Sequence, residues 1–266
     1  MTSRWINVEF HCHTVRSSDG MIPHDSMIRT AAAVGLDVIA ITDHDTVEGA
    51  LELRERVKEQ GVSLQIIVGE ERTLADGSHL IGLFLQRGLQ AKELGDVVQE
   101  IYGAGGLCLI PHPFRRKDGL LRNGLEPLRF LEGRVVGFEL FSAKCSFAEN
   151  ARARELLAVP GLSPFGGSDA HYESDLGESM NVVEWHEDLR TSIQRMFEKS
   201  APYQILGKPQ ANGDSERLYA PLYYRVKKRV RLPKVFLPAA KQCYRHYRNW
   251  RVGIGRKALR EIHRHG

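Results

Sequence analysis

The chain has 266 residues, 42% hydrophobic and 26% charged, with a formal net charge of +4. That length allows one α/β barrel or two small domains with a substantial core, and no apolar run is long enough to span a bilayer. The first residues lack the apolar stretch of a secretion signal, and Cys12, Cys108, Cys145 and Cys243 show neither CxxC pairing nor disulfide-like spacing, which points to the cytoplasm.

Read in chain order, short β-rich runs alternate with amphipathic stretches up to about residue 184. The run 6–10 reads as a strand that ends in His11-Cys12-His13, and Ser18-Asp19-Gly20 follows as a turn. A helix is expected over 23–34, stopped by Gly35, with His24 exposed at its start. The strand 38–42 leads into Thr42-Asp43-His44-Asp45, and Asp45 or Thr46 is placed to cap a helix over 47–60 that Gly61 stops. The strand 64–69 ends in Gly69-Glu70-Glu71, and His79, structural or substrate-facing, precedes a strand over 80–85. A helix over 91–103 leads to the strand 107–111, to Pro111-His112-Pro113, and to the cations Arg115, Arg116 and Lys117. The strand 135–141 carries Gly137-Phe138-Glu139-Leu140, a helix is expected over 147–157, and a weaker strand at 164–166 precedes Gly167-Ser168-Asp169-Ala170-His171. Such alternation implies parallel strands joined by helical crossovers, in a barrel or an open sheet.

The chemistry sits at the strand ends. His11 and His13 fall on one face of their strand because side chains alternate with period two, so both imidazoles can grip one cation. The same strand ends supply Asp19, His44, an acid at 70 or 71, His112 and Asp169 with His171. Imidazole and carboxylate together suit divalent zinc, manganese or iron without any thiolate. Such a cluster lowers the pKa of bound water and clamps the oxygens of a phosphoryl displacement, so the expected nucleophile is metal-bound water. Cys12 is expected to point away as a small buried hydrophobe. Asp43 reads as a residue that orients its neighbours. Arg115 suits bidentate recognition of phosphate, a role that Arg116 and Lys117 could share.

The order HxH, SDG, TDHDT, GxE, HP, GxE and GSDAH, over about residues 6–185, resembles the polymerase and histidinol phosphatase (PHP) family. The resemblance implies a distorted seven-stranded β/α barrel holding two or three divalent ions (Mn2+, Zn2+ or Fe2+), and hydrolysis of phosphoesters. It implies that His11, His13 and Asp169 hold one ion, that Glu71 rather than Glu70 bridges to a second with His112 and Glu139, and that Asp19, His44 and His171 hold a third. Glu71, Asp169 and His171 are then the catalytic residues, and Arg115, Arg116 and His79 the substrate-binding ones. The implied substrates are a small phosphomonoester, a nucleotide bisphosphate or the 5′ end of an oligonucleotide, the last with 5′-3′ exonuclease activity. A non-catalytic regulatory module, and a membrane-associated phosphatase of envelope metabolism, are the alternative readings; hydrolysis of C–N bonds on a related barrel is disfavoured by Arg115.

The composition changes after the barrel. Residues 1–206 read as the catalytic domain, 207–216 as a linker, and 217–266 as an extension with 15 lysines and arginines against one acid, Glu261. Seven tyrosine, phenylalanine and tryptophan residues are interleaved with those cations, and the part from Ala239 onward could be one helix. Such a segment suits a nucleic-acid backbone, an anionic membrane surface, or packing on the acidic barrel, so the localisation reads as cytoplasmic or membrane-peripheral.

Overall fold

The computed structural model describes residues 3–208 and 259–266. In chain order the elements are β1 (Trp5–Cys12), α1 (His24–Val34), β2 (Val38–Ile41), α2 (Glu48–Glu59), β3 (Gln65–Thr73), β4 (His79–Leu83), α3 (Leu94–Gly103) and β5 (Leu107–Ile110). There follow β6 (Val136–Ser142), α4 (Phe147–Ala153), β7 (Leu162–Gly167), β8 (Ser179–Glu184), α5 (Leu189–Phe197), β9 (Tyr203–Gly207) and β10 (Arg260–His265). All ten strands belong to one sheet with the order β10-β9-β8-β1-β2-β3-β4-β5-β6-β7.

The sheet is curled. Seven strands, β1 to β7, run round in sequence order, and the seam between the first and last is closed at one end by a parallel bridge from Cys12 to Ala170. There the His13 N–H donates to the Ala170 carbonyl at 2.9 Å. Lower in the seam, Asn181 of β8 donates to the carbonyls of Val8 (3.1 Å) and Gly166 (2.8 Å) and accepts from the Gly166 N–H (2.8 Å), so one amide satisfies backbone groups of both edge strands. Phe10, Phe165 and Phe197 fill the interior below, with ring centroids 5.4–6.2 Å apart in edge and tilted contacts. β2, with the sequence VIAI, is buried along its whole length, as a strand covered on both faces must be.

Three expectations are corrected here. The described residues form ten strands, not seven, because β8, β9 and β10 continue the sheet antiparallel beyond β1. The strands are not uniformly parallel either: β4 pairs antiparallel with both β3 and β5, since a short turn rather than a helix joins β3 to β4. Helix α2 has Val47 rather than Asp45 or Thr46 at its N-cap position, without a side-chain bond of its own, although the Thr46 hydroxyl accepts the N–H of Glu48, the first helical residue, at 3.1 Å. The Asp45 carboxylate instead accepts from Arg72 and from the Thr73 N–H on β3.

Most of the linker and extension lies outside the described residues. Gly207 ends β9, and Arg260–His265 form a strand on β9 where a helix was expected. Among the described residues no helix is long and apolar enough to cross a membrane.

Candidate metal centre

The chemistry-bearing residues meet at the end of the barrel where the seam closes. Glu9 and His11 on β1 and His13 just beyond its end alternate onto the inner face, while the Cys12 thiol turns outward to the Ala40 carbonyl at 3.3 Å. The same alternation separates the two acids of β3. Glu71 points inward and is fully buried; Glu70 points outward, accepting from the Leu89 N–H at 2.9 Å with Arg72 3.6 Å away. Pairing cannot move without exchanging these faces, so the register of β3 decides which carboxylate enters the site.

Glu71 is the hub. Its Oε2 lies 3.2 Å from His11 Nε2, 3.3 Å from His13 Nε2 and 3.4 Å from His44 Nδ1. Its Oε1 lies 3.0 Å from His79 Nδ1 and 2.9 Å from His112 Nε2. Asp169 closes the other side, with Oδ1 at 3.4 Å from His11 Nε2 and 3.3 Å from His13 Nε2. At the rim, Asp19 lies 3.1 Å from His171 Nε2 and 3.5 Å from His44 Nε2.

Donor atoms within 4.8 Å of one another gather His11, His13 and Asp169; His11, Glu71 and His112; His44, Glu71 and His79; and His13, Asp19, His44 and His171. A fifth group, His79, His112 and Asp118, adds an acid that the sequence reading missed.

Two ligand-bearing residues have left-handed backbones, His112 with φ 29° and Asp169 with φ 48°. Such conformations are costly for residues other than glycine and persist when the surroundings hold them. The His112 N–H is held by Glu139 Oε2 at 2.6 Å. The other oxygen of Glu139 lies 2.7 Å from His11 Nδ1. Both oxygens of Glu139, expected as a ligand, are thus engaged, one with the His11 imidazole and one with the His112 backbone N–H, and it is in none of the donor groups gathered above. Asp43 orients the loop after β1, accepting from the Thr14 N–H (2.6 Å) and hydroxyl (2.7 Å).

His79 is the reverse case. The sequence left it structural or substrate-facing and counted it among the substrate-binding residues. Because β4 is antiparallel, its first residue lies at the same end of the barrel as the last residues of the parallel strands, and His79 faces Glu71. His24 is buried rather than exposed, with Nδ1 3.8 Å from Glu52.

Arg115 turns into the centre: Nη1 donates to Asp169 Oδ2 at 2.6 Å and Nε to Asp118. Arg116 and Lys117 stay at the surface.

The electrostatics are those of a compact array of opposite charges. Burial opposes ionisation of His11, yet the carboxylates of Glu71, Asp169 and Glu139 hold it above the ordinary histidine range. For His44 burial is outweighed by Glu71 and Asp19, which push it up to about 9. Against the same burial penalty, His11 and His44 hold Glu71 well below the usual carboxylate range, and His11 and Arg115 do so for Asp169. His112 is lowered, by burial first and Arg115 second.

The donor set fits divalent cations. His11 Nε2 and His13 Nε2 lie 3.2 Å apart, and each is also near Glu71 Oε2 and Asp169 Oδ1, so four donor atoms converge without sulfur. Two imidazoles and two carboxylates arranged in this way match the ligand types of zinc, manganese and iron.

The chain matches the PHP domain over residues 9–131 and the PHP-associated region over 147–195. It is 31% identical over 123 residues to an uncharacterized protein of Methanocaldococcus jannaschii, which covers 41% of this chain and 68% of that protein. It is 36% identical over 78 residues to a 5′-3′ exoribonuclease of Haemophilus influenzae, covering 28% of this chain but 27% of the enzyme. Among solved structures it resembles a two-domain protein of Bacteroides vulgatus described as containing a PHP-like metal-dependent phosphoesterase, with a TM-score of 0.63, 21% identity, and coverage of 77% of this chain and 65% of the other. It also resembles a lesion-specific endonuclease of Pyrococcus furiosus, with a TM-score of 0.62, 14% identity, and coverage of 79% and 60%. With its signature residues collected at one end of a curled sheet, the chain belongs to the PHP family.

Proposed function

We propose that the protein is a metal-dependent hydrolase of phosphoesters, acting on the phosphate end of a nucleotide or a short oligonucleotide. The observation that carries the reading is Glu71, a single buried carboxylate with imidazoles at 2.9–3.4 Å from both of its oxygens. His11, His13, Glu71 and Asp169 would hold one ion, and Glu71, His79 and His112 a second. Asp19, His44 and His171 would hold a third. Ions so bound supply an activated water at neutral pH and neutralise charge on the phosphoryl group.

The chain's own residues do the rest. Glu139 fixes the His11 imidazole and the His112 backbone. Arg115, held between Asp118 and Asp169, keeps a planar cation beside the donor cluster, ready for two oxygens of a phosphate. Buried surroundings exclude bulk water and strengthen each of these interactions. The similarity to part of a 5′-3′ exoribonuclease supports a nucleotide substrate.

The test is metal analysis of the purified protein together with p-nitrophenyl phosphate turnover in added manganese. Two or three equivalents of metal and a rate abolished by His11→Ala are expected. Absence of metal and a residual rate unaffected by His11→Ala would leave a non-catalytic module.

A further inference from the structure

Of the three cations that follow His112-Pro113, only Arg115 enters the donor cluster. The Arg116 side chain is exposed, and among the described residues no ion pair engages its guanidinium. Lys117 is 91% exposed at the side chain, with its nearest acid, Asp118, 3.9 Å away.

The loop carrying them is fixed to helix α4. Glu149 Oε1 accepts the Arg116 N–H at 3.0 Å, while Oε2 accepts the Ser146 N–H at 2.7 Å and the Ser146 hydroxyl at 2.8 Å. One carboxylate thus joins the loop to the residue that caps α4. Further along, the Arg152 guanidinium lies 4.2 Å from the Phe114 ring centroid, so the helix and the loop share a second contact.

Next to that cap is Phe147, 57% exposed and the most exposed large hydrophobic among the described residues. Its position is set by the capped first turn of α4, one residue beyond Ser146. An exposed aromatic ring on a helix turn that one carboxylate ties to a loop carrying two exposed cations is a combination suited to single strands: a base stacks on the ring and phosphates meet the cations. The connection to the metal centre is covalent and short, since Arg116 follows the arginine that bonds Asp169.

We propose that Phe147, Arg116 and Lys117 form a nucleotide subsite for a single-stranded nucleic acid whose terminal phosphate lies in the metal centre. The proposal rests on the hydrolase reading and names the class of substrate for it. Phe147 stacks the base next to the scissile phosphate, and Arg116 with Lys117 meets the following phosphates. The subsite is sequence-tolerant, because every base offers a π-face.

The experiment compares a 5′-phosphorylated tetranucleotide with p-nitrophenyl phosphate, using the full chain in manganese and Phe147→Ala, Phe147→Trp and Arg116→Ala variants. Fluorescence anisotropy of a labelled tetranucleotide on the metal-free protein gives a readout independent of turnover. Phe147→Ala is expected to raise KM and Kd for the oligonucleotide about tenfold, and Phe147→Trp to restore both. Arg116→Ala raises both as well and flattens their salt dependence, and turnover of p-nitrophenyl phosphate stays at the wild-type level in both Phe147 variants. Unchanged oligonucleotide binding in Phe147→Ala and Arg116→Ala overturns the subsite, as does an equal loss on both substrates in Phe147→Ala. A wild-type protein that hydrolyses p-nitrophenyl phosphate but neither binds nor cleaves the oligonucleotide removes the subsite and leaves the hydrolase. Oligonucleotide binding that depends on Phe147, with turnover of neither substrate, keeps the subsite and removes the hydrolase.

Discussion

The floor and the rim of this site are built on opposite terms. On the floor, Glu71, Asp169 and the imidazoles of His11, His13 and His112 are fully or nearly buried, and each carboxylate has imidazole nitrogens within 3.4 Å. On the rim, Arg116 and Lys117 are exposed and Phe147 stands in solvent. Burial makes the floor electrostatically strong but intolerant, because removing one partner leaves another charged and unpaired. The rim is screened and forgiving, and any selectivity there comes from shape and stacking. Reaction and recognition are therefore expected to separate under mutation.

The largest effect falls on the hub. Glu71→Gln should lower p-nitrophenyl phosphate turnover on the order of 10³-fold, equivalent to several kcal/mol of transition-state stabilisation, and reduce the bound metal. A near wild-type rate in that variant would break the distinction between floor and rim. His79→Ala comes next, with metal affinity reduced on the order of 10²-fold; a raised KM at full metal content would return His79 to the substrate side. Glu139→Gln keeps its shape but weakens the orientation of His11, so a loss of about tenfold in metal affinity is expected by calorimetry. Arg115→Lys should raise KM about tenfold with metal content unchanged, because an ammonium cannot reproduce a planar, two-pronged contact.

The smallest effect tests the outer face of β3. Burial pushes Glu70 up to about 7 from an ordinary 4.5, opposed by its bond from the Leu89 N–H. A carboxyl whose pKa is raised on folding costs nothing below about 4.5, progressively more as pH rises, and its full penalty above about 7. Glu70→Gln keeps an acceptor for Leu89, so the metal-free variant should gain about 1–2 kcal/mol at pH 8 and nothing at pH 4, measured by urea unfolding. Activity should change less than twofold. Destabilisation at pH 8 would show that the charge of Glu70 is needed after all.

Much of the site was legible in the sequence because its residue types are rare in strands and their spacing is local. HxH places two imidazoles on one face whatever the rest of the fold does, and a histidine or acid just past an apolar run marks a strand end. The strands β1 to β7 were expected near where they lie, as were α1 and α2, because apolar periodicity reports burial directly. The antiparallel wing was not expected: β8, α5 and β9 lie in a stretch left without assigned elements, and β10 lies where a helix was expected.

What the sequence determined by itself was the inventory: imidazoles, carboxylates and cations, each attached to a strand end by alternation that depends on neighbouring residues alone. What only the tertiary structure decided was their partnership. The direction of β4 turned His79 toward Glu71, the closure of the seam set Asp169 against His11, and the 27-residue separation of His112 and Glu139 gave no hint that a carboxylate on β6 would support the loop after β5. Such relations depend on how strands pair and how the sheet curls, and that pairing is fixed by long-range packing.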